Sequence, residues 1–141
     1  MSFGLKRTDL HRLAEAKYDD ALLLLSHRRP SNAHYLAGYA VEIGLKACIA
    51  LQFSAHAIPD RRFVTAVYTH SLKDLVNLAG LTAEMRRQQN ADVHFAANWS
   101  VVVQWSEESR YQMIDELTAA GMVDAVGNPD HGVLPWLKLH W

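Results

Sequence analysis

The sequence is short of several things. It has one cysteine, Cys48, in 141 residues, so no intrachain disulfide and no cysteine-built zinc site can form. No charge of one sign dominates. A formal net charge of −1 gives no electrostatic footprint for nucleic acid across the whole surface, although a local basic patch stays open. Long apolar runs are missing as well: none is longer than Ala21 to Leu25, far below the roughly 20 residues that span a bilayer. Met1 to Asp9 carries two basic residues with no apolar stretch behind them, which predicts no signal peptide. No internal repeat, low-complexity tract or second domain stands out. These absences predict one soluble, cytoplasmic domain spanning 1–141, with no membrane contact.

What is present suits a single packed core. Half of the residues are apolar and 21% are charged, an ordinary globular balance. Thr8 or Asp9 can cap a first helix, and Leu10, Leu13, Ala14, Ala21, Leu24 and Leu25 follow at helical spacing until Arg28-Arg29-Pro30 interrupts it near His27. Ser31 or Asn32 offers the next cap. From Ser31 to about Gln52 the pattern is dense, with Leu36, Ala37, Ala40, Ile43, Gly44, Ala47, Ala50 and Leu51 on one wide face. Ala37, Gly38, Ala40, Gly44 and Ala47 are small, so a neighbouring helix can approach closely. Such a helix is about 33 Å long, the depth of a small domain.

The rest predicts shorter pieces. Phe53 to Thr69 reads as irregular, with a turn at Pro59-Asp60. A short helix fits His70 to Leu78, closed by Gly80, and another fits Ala83 to Asn90 after Thr82. Phe95 to Trp105 mixes β-branched and aromatic residues, but a lone strand has no partner, so helix or irregular chain is expected. Gln112 to Val126 reads as a helix with Ile114, Leu117, Ala120 and Val123 inward, stopped at Gly127-Asn128-Pro129. A last helix fits Val133 to Trp141, and its tryptophans are expected to close the core or an interface. The predicted architecture is an all-α antiparallel bundle of four to five helices with short additional ones.

A second stripe runs beside the apolar face of the long helix: Tyr35, Tyr39, Glu42 and Lys46. Glu42 precedes Lys46 by four residues, the favourable order for a helix ion pair. In the exposed case such a pair contributes a few tenths of a kcal/mol. If partly buried, it is a specificity device or a functional site.

Ala33 to Cys48, with its Glu42 followed four residues later by Lys46-Ala47, resembles the second helix of HEPN domains (higher eukaryotes and prokaryotes nucleotide-binding). His70-Ser71-Leu72-Lys73-Asp74-Leu75 resembles that family's His-x-Leu-x-x-Leu, and Trp105 with Ser109-Arg110-Tyr111 resembles its later Arg-Tyr element. The resemblance covers roughly Ala14 to Tyr111. It implies an antiparallel bundle, commonly a homodimer, associated with nucleotide or RNA, or with a nucleotidyltransferase-like partner protein in toxin–antitoxin or defence modules. Tyr39, Glu42, Lys46, His70, Arg110 and Tyr111 are then the candidates for contacting a nucleotide or RNA.

Some members of the family resemble metal-independent RNases that use an Arg-x(4–6)-His motif at a dimer cleft. That chemistry needs a histidine for proton transfer and an arginine fork at the phosphate. Arg28–His34, Arg29–His34 and Arg87–His94 have the spacing, but nine arginines and eight histidines give roughly one or two such pairs by chance. Arg110, where the catalytic motif is expected, has no histidine four to six residues on. The favoured reading is a non-catalytic module; the alternative is an endoribonuclease toxin using Arg29 and His34 or Arg87 and His94. The expected work of His70 is to bond a backbone group or pack at its helix start. Arg110 and Tyr111 are expected to reach the Glu42 stripe. No cofactor or metal is expected, since no His-x3-His or Glu-x-x-His pair shares a helix, and nothing requires His27, His70 and His131 to meet.

Overall fold

Three consecutive polar residues and a proline decide where the chain first turns back. The computed structural model describes residues 4–141, and there α1 (Arg7–Ser26) is followed after His27, Arg28 and Arg29 by α2 (Pro30–Ala50). The part of the N-terminal reading that concerns Met1 to Phe3 lies outside the described residues. Arg28 takes φ 58°, a left-handed conformation that costs an L-residue about 1–2 kcal/mol. It lets the Arg28 and Arg29 N–H groups return to the carbonyls of Leu25 and Leu24, at 3.1 and 2.8 Å. Pro30 then takes the first helical position, where its missing N–H loses nothing. Arg29, not Ser31 or Asn32, is therefore the residue at the cap, and α1 is capped at Lys6 instead of Thr8 or Asp9, with Asp9 accepting the Lys6 N–H at 3.3 Å.

Six more helices follow: α3 (Arg61–Val67), α4 (Leu72–Leu78), α5 (Thr82–Ala91), α6 (Val93–Val102), α7 (Glu116–Gly127) and α8 (Val133–Lys138), with a 3-10 turn at Glu107–Tyr111. All regular structure among the described residues is helical, the all-α class that the periodicity predicts. No helix among them is long and apolar enough to cross a membrane.

The long helix is the axis of the molecule. α2 packs on α1, α4, α7, α8 and the 3-10 turn, and Ala33, Ala37, Ala40, Val41, Leu45 and Ala47 have no exposed surface. Its small residues do what their size allows. A Cβ at Gly44 would meet Leu137 at 3.2 Å, and one at Gly38 would meet Trp105 at 2.2 Å, so α8 and the Trp105 ring lie directly on the α2 backbone. A single cluster of buried side chains then runs from Leu10 in α1 to Leu137 in α8. Cys48 is part of it, and burial pushes its thiol up to about 12, which leaves it unreactive as a nucleophile.

Several expectations shift. Phe53 to Thr69 is not wholly irregular: Asp60 accepts the Arg62 and Phe63 N–H groups and caps α3. Of Phe95 to Trp105, expected as helix or irregular chain, the part to Val102 is helical, and the helix starts earlier, at Val93, because Asp92 caps it. α7 starts later than Gln112, at Glu116, because Asp115 accepts the Thr118 N–H at 2.7 Å. Its inward face is accordingly Ala119, Met122, Val123, Ala125 and Val126. Of the residues expected inward there, Val123 is; Ile114 lies ahead of the helix, and Leu117 and Ala120 face out. The C-terminal helix stops at Lys138; Trp136 is buried beside Phe95 and Trp141 stacks on His11 at 4.3 Å.

Candidate functional site

Glu42 points into the bundle, with 2% of its surface exposed. A carboxylate in such a place costs several kcal/mol unless cations and hydrogen bonds compensate it. Two groups do. Lys46, one turn on, donates from Nζ to Oε2 at 3.3 Å, and His70 Nδ1 lies 2.8 Å from Oε1. His70 is placed there by the start of α4: Ser71 caps that helix by accepting the Asp74 N–H, and Leu72 and Leu75 are buried, which seats the histidine ahead of them on α2.

The other ring nitrogen, His70 Nε2, lies 2.7 Å from Glu107 Oε2. Glu107 in turn pairs with Arg110, whose guanidinium lies 4.7 Å from the Tyr111 ring centroid. His70 thus bridges two carboxylates, one ring nitrogen facing each. Lys46, Glu42, His70, Glu107 and Arg110 make one chain of alternating basic and acidic side chains from α2, over the start of α4, to the 3-10 turn. The Arg110 hydrogen bond, more than any other contact, holds the Glu107 carboxyl below the usual carboxylate range, and the His70 charge adds to it.

Aromatic packing fixes the turn that carries Glu107. Trp105 is buried against Gly38 and stands 5.9 Å from Tyr35 and 6.3 Å from Tyr39, ring centre to ring centre. Lys17 of α1 covers the far side of Tyr39 at 5.7 Å. Burial, and next the Glu42 charge, push the Tyr39 phenol up. Ser31 ties down the chain beyond the turn by accepting the Ile114 N–H at 2.9 Å.

Most of the sequence candidates therefore meet at one seam: Tyr39, Glu42, Lys46, His70 and Arg110. Two expectations need correcting. His70 bonds two side chains instead of a backbone group, and Arg110 does not touch Glu42 but reaches it through Glu107 and His70. Tyr111 stays outside, 73% exposed. Glu107 is the member that the sequence reading missed; its signal was its position three residues before Arg110, the spacing of a helical ion pair.

The Arg–His pairs do not assemble. No hydrogen bond joins exposed Arg29 to His34 among the described residues, and burial lowers the His34 pKa while its Nδ1 has no partner. Arg87 is paired with Glu84, whereas His94 lies in the first turn of α6 and packs on His131. His27 is exposed, and His70 and His131 belong to separate ion pairs, so the three do not meet.

No family model, curated protein or solved structure matches the chain.

What the seam can do follows from its charges. Each of its three cations already has a carboxylate, so a phosphate arriving there must compete with Glu42 or Glu107 for any of them. A five-member chain anchored on a buried carboxylate is suited to hold the 3-10 turn in one position on α2. Beyond the turn, Met113 and Leu117 are 94% and 86% exposed.

Proposed function

We propose that the chain is a HEPN-like helical module that works by binding another protein chain, a second copy of itself first, and does not cut RNA. The observation that carries this reading is the closed chain of ion pairs at Glu42. It engages one basic side chain from each of the three motifs that resemble the family, while Tyr111, Met113 and Leu117, which follow it in the chain, offer exposed apolar surface. Charged groups that neutralise one another serve geometry, and apolar side chains left in water serve association. Nucleotide or RNA binding at the same seam is the weaker reading, because the ligand would have to displace two carboxylates.

The solution mass tests association directly. By light scattering after gel filtration, the wild-type chain is expected at twice its 15.9 kDa, and Met113→Glu with Leu117→Glu at the monomer mass. A wild-type monomer at every concentration would move the reading to a different protein, such as the nucleotidyltransferase-like partner that the resemblance implies.

Catalysis is tested separately. No cleavage of a mixed single-stranded RNA pool is expected above a buffer control, and His34→Ala or His94→Ala should change nothing. Cleavage that disappears in either variant sinks the non-catalytic reading and makes the chain an endoribonuclease.

A further inference from the structure

The start of α6 and the link between α7 and α8 set two histidines side by side, away from the Glu42 seam. Asn128 Oδ1 accepts the backbone N–H groups of Asp130 and His131, both at 3.0 Å. Asn98 donates from α6 to the His131 carbonyl at 2.9 Å. The ring is held too, with Nδ1 2.7 Å from Asp92 Oδ2. Asp92 cannot easily turn away, because its Oδ1 caps α6 by accepting the His94 and Phe95 N–H groups at 3.0 and 3.1 Å.

A neutral ring that gives its Nδ1–H to a carboxylate keeps its lone pair on Nε2. That Nε2 makes no hydrogen bond among the described residues. The His94 ring stands against the His131 ring, with centroids 4.8 Å apart and planes at 50°. Stable packing alone does not require a partly exposed histidine to be restrained at its N–H, its carbonyl and its ring.

The surroundings choose the ligand. The recess is lined by His94, Ala97, Asn98, Asp124, Asn128 and His131, with the Asp92 carboxylate behind His131. No lysine or arginine lines it. A phosphate would meet carboxylates and no cation, and rings in contact leave no gap to bracket it. No serine, threonine or cysteine lines the recess to act as a nucleophile. A cation would meet two imidazoles and the Asp124 carboxylate there, and imidazole suits zinc, copper and nickel. Among the described residues no group of three His, Cys, Asp or Glu side chains is placed to hold a metal, so water would complete the coordination.

We propose that His94 and His131 form a two-imidazole site for a first-row divalent cation of the zinc type, with Asp92 as the positioning residue that orients His131. The site owes nothing to the function proposed above.

Calorimetric titration of the full chain with Zn²⁺ tests it, read together with the ring-nitrogen shifts of the histidines by NMR. One Zn²⁺ per chain is expected, moving the His94 and His131 ring signals. His94→Ala, an exposed position, should remove the binding with the melting temperature kept, and His131→Ala should do the same if it folds. Asp92→Asn keeps the helix cap but offers His131 an amide, and should weaken binding about 10- to 100-fold while shifting the His131 tautomer. Absence of a one-to-one Zn²⁺ event overturns the proposal. So does binding that survives His94→Ala, or that falls equally in His56→Ala, a surface control.

Discussion

Replacing Glu42 by alanine is expected to destabilise the fold by about 3 kcal/mol or more, the lower end of what breaking a buried ion pair costs. The lower end applies because the two cations left behind keep some water: the side chains of Lys46 and His70 are 20% and 41% exposed, against 2% for Glu42. The asymmetry gives the stronger form of the prediction. Removing both cations, with Lys46→Ala and His70→Ala together, strands the buried carboxylate and should destabilise more than Glu42→Ala does. Glu42→Gln should be milder than either, since the amide keeps the volume and one acceptor oxygen. Urea unfolding followed by circular dichroism would measure all three. If Glu42→Ala costs only the few tenths of a kcal/mol typical of an exposed helix pair, the seam is not the lock described here. The same variant should also loosen the 3-10 turn, seen as faster amide exchange across Glu107 to Tyr111.

The sequence carried this seam only in part, for a physical reason. Helical spacing placed Tyr35, Tyr39, Glu42 and Lys46 on one edge of α2, since i, i+3 and i+4 relations are local. Nothing local could say that His70 would span two carboxylates, because that contact joins residues 28 and 37 positions apart and depends on where Ser71 caps α4 and where Trp105 anchors the turn. The same limit explains α7. Ile114 and Leu117 continue a helical period backwards from Val123, but Asp115 captures the Thr118 N–H and starts the helix there, which turns Leu117 out to solvent. α6 shows the converse: its β-branched and aromatic residues argued against a helix, and the Asp92 cap with the burial of Phe95, Trp99 and Val102 outweighed that preference. Periodicity reported the faces of the long helices in part: Leu10, Ala14 and Ala21 of α1 are buried but Leu13 is exposed, and α2 is buried at Val41, Leu45 and Ile49 besides its expected face. Caps reported their ends better than periodicity did.

Gly38→Ala is expected to be strongly damaging for so small a substitution. Elsewhere in a helix interior, alanine is better than glycine by about 0.5–1 kcal/mol, so the sign of the effect is itself informative. At Gly38 a Cβ would lie 2.2–2.4 Å from three atoms of the Trp105 indole, and the indole is rigid, 4% exposed and hemmed by Tyr35 and Tyr39. The ring must shift bodily or leave. A shift carries the overpacking cost of about 1–3 kcal/mol, and ejection approaches the 3–5 kcal/mol of deleting a buried tryptophan. Since Trp105 also seats the turn that carries Glu107, the variant should break the His70–Glu107 contact as well as the packing. Gly44→Ala is the control on the same helix: its nearest neighbour is a leucine methyl carbon at 3.2 Å, which need give by only a few tenths of an ångström, so the variant should stay within about 1 kcal/mol of wild type. Trp105→Leu should absorb much of the Gly38→Ala penalty, making the double variant clearly less unstable than the sum of the two singles. A Gly38→Ala protein that unfolds at the wild-type urea concentration would show that Trp105 does not lie on α2 in solution, and with it would go the placement of Glu107 beside His70.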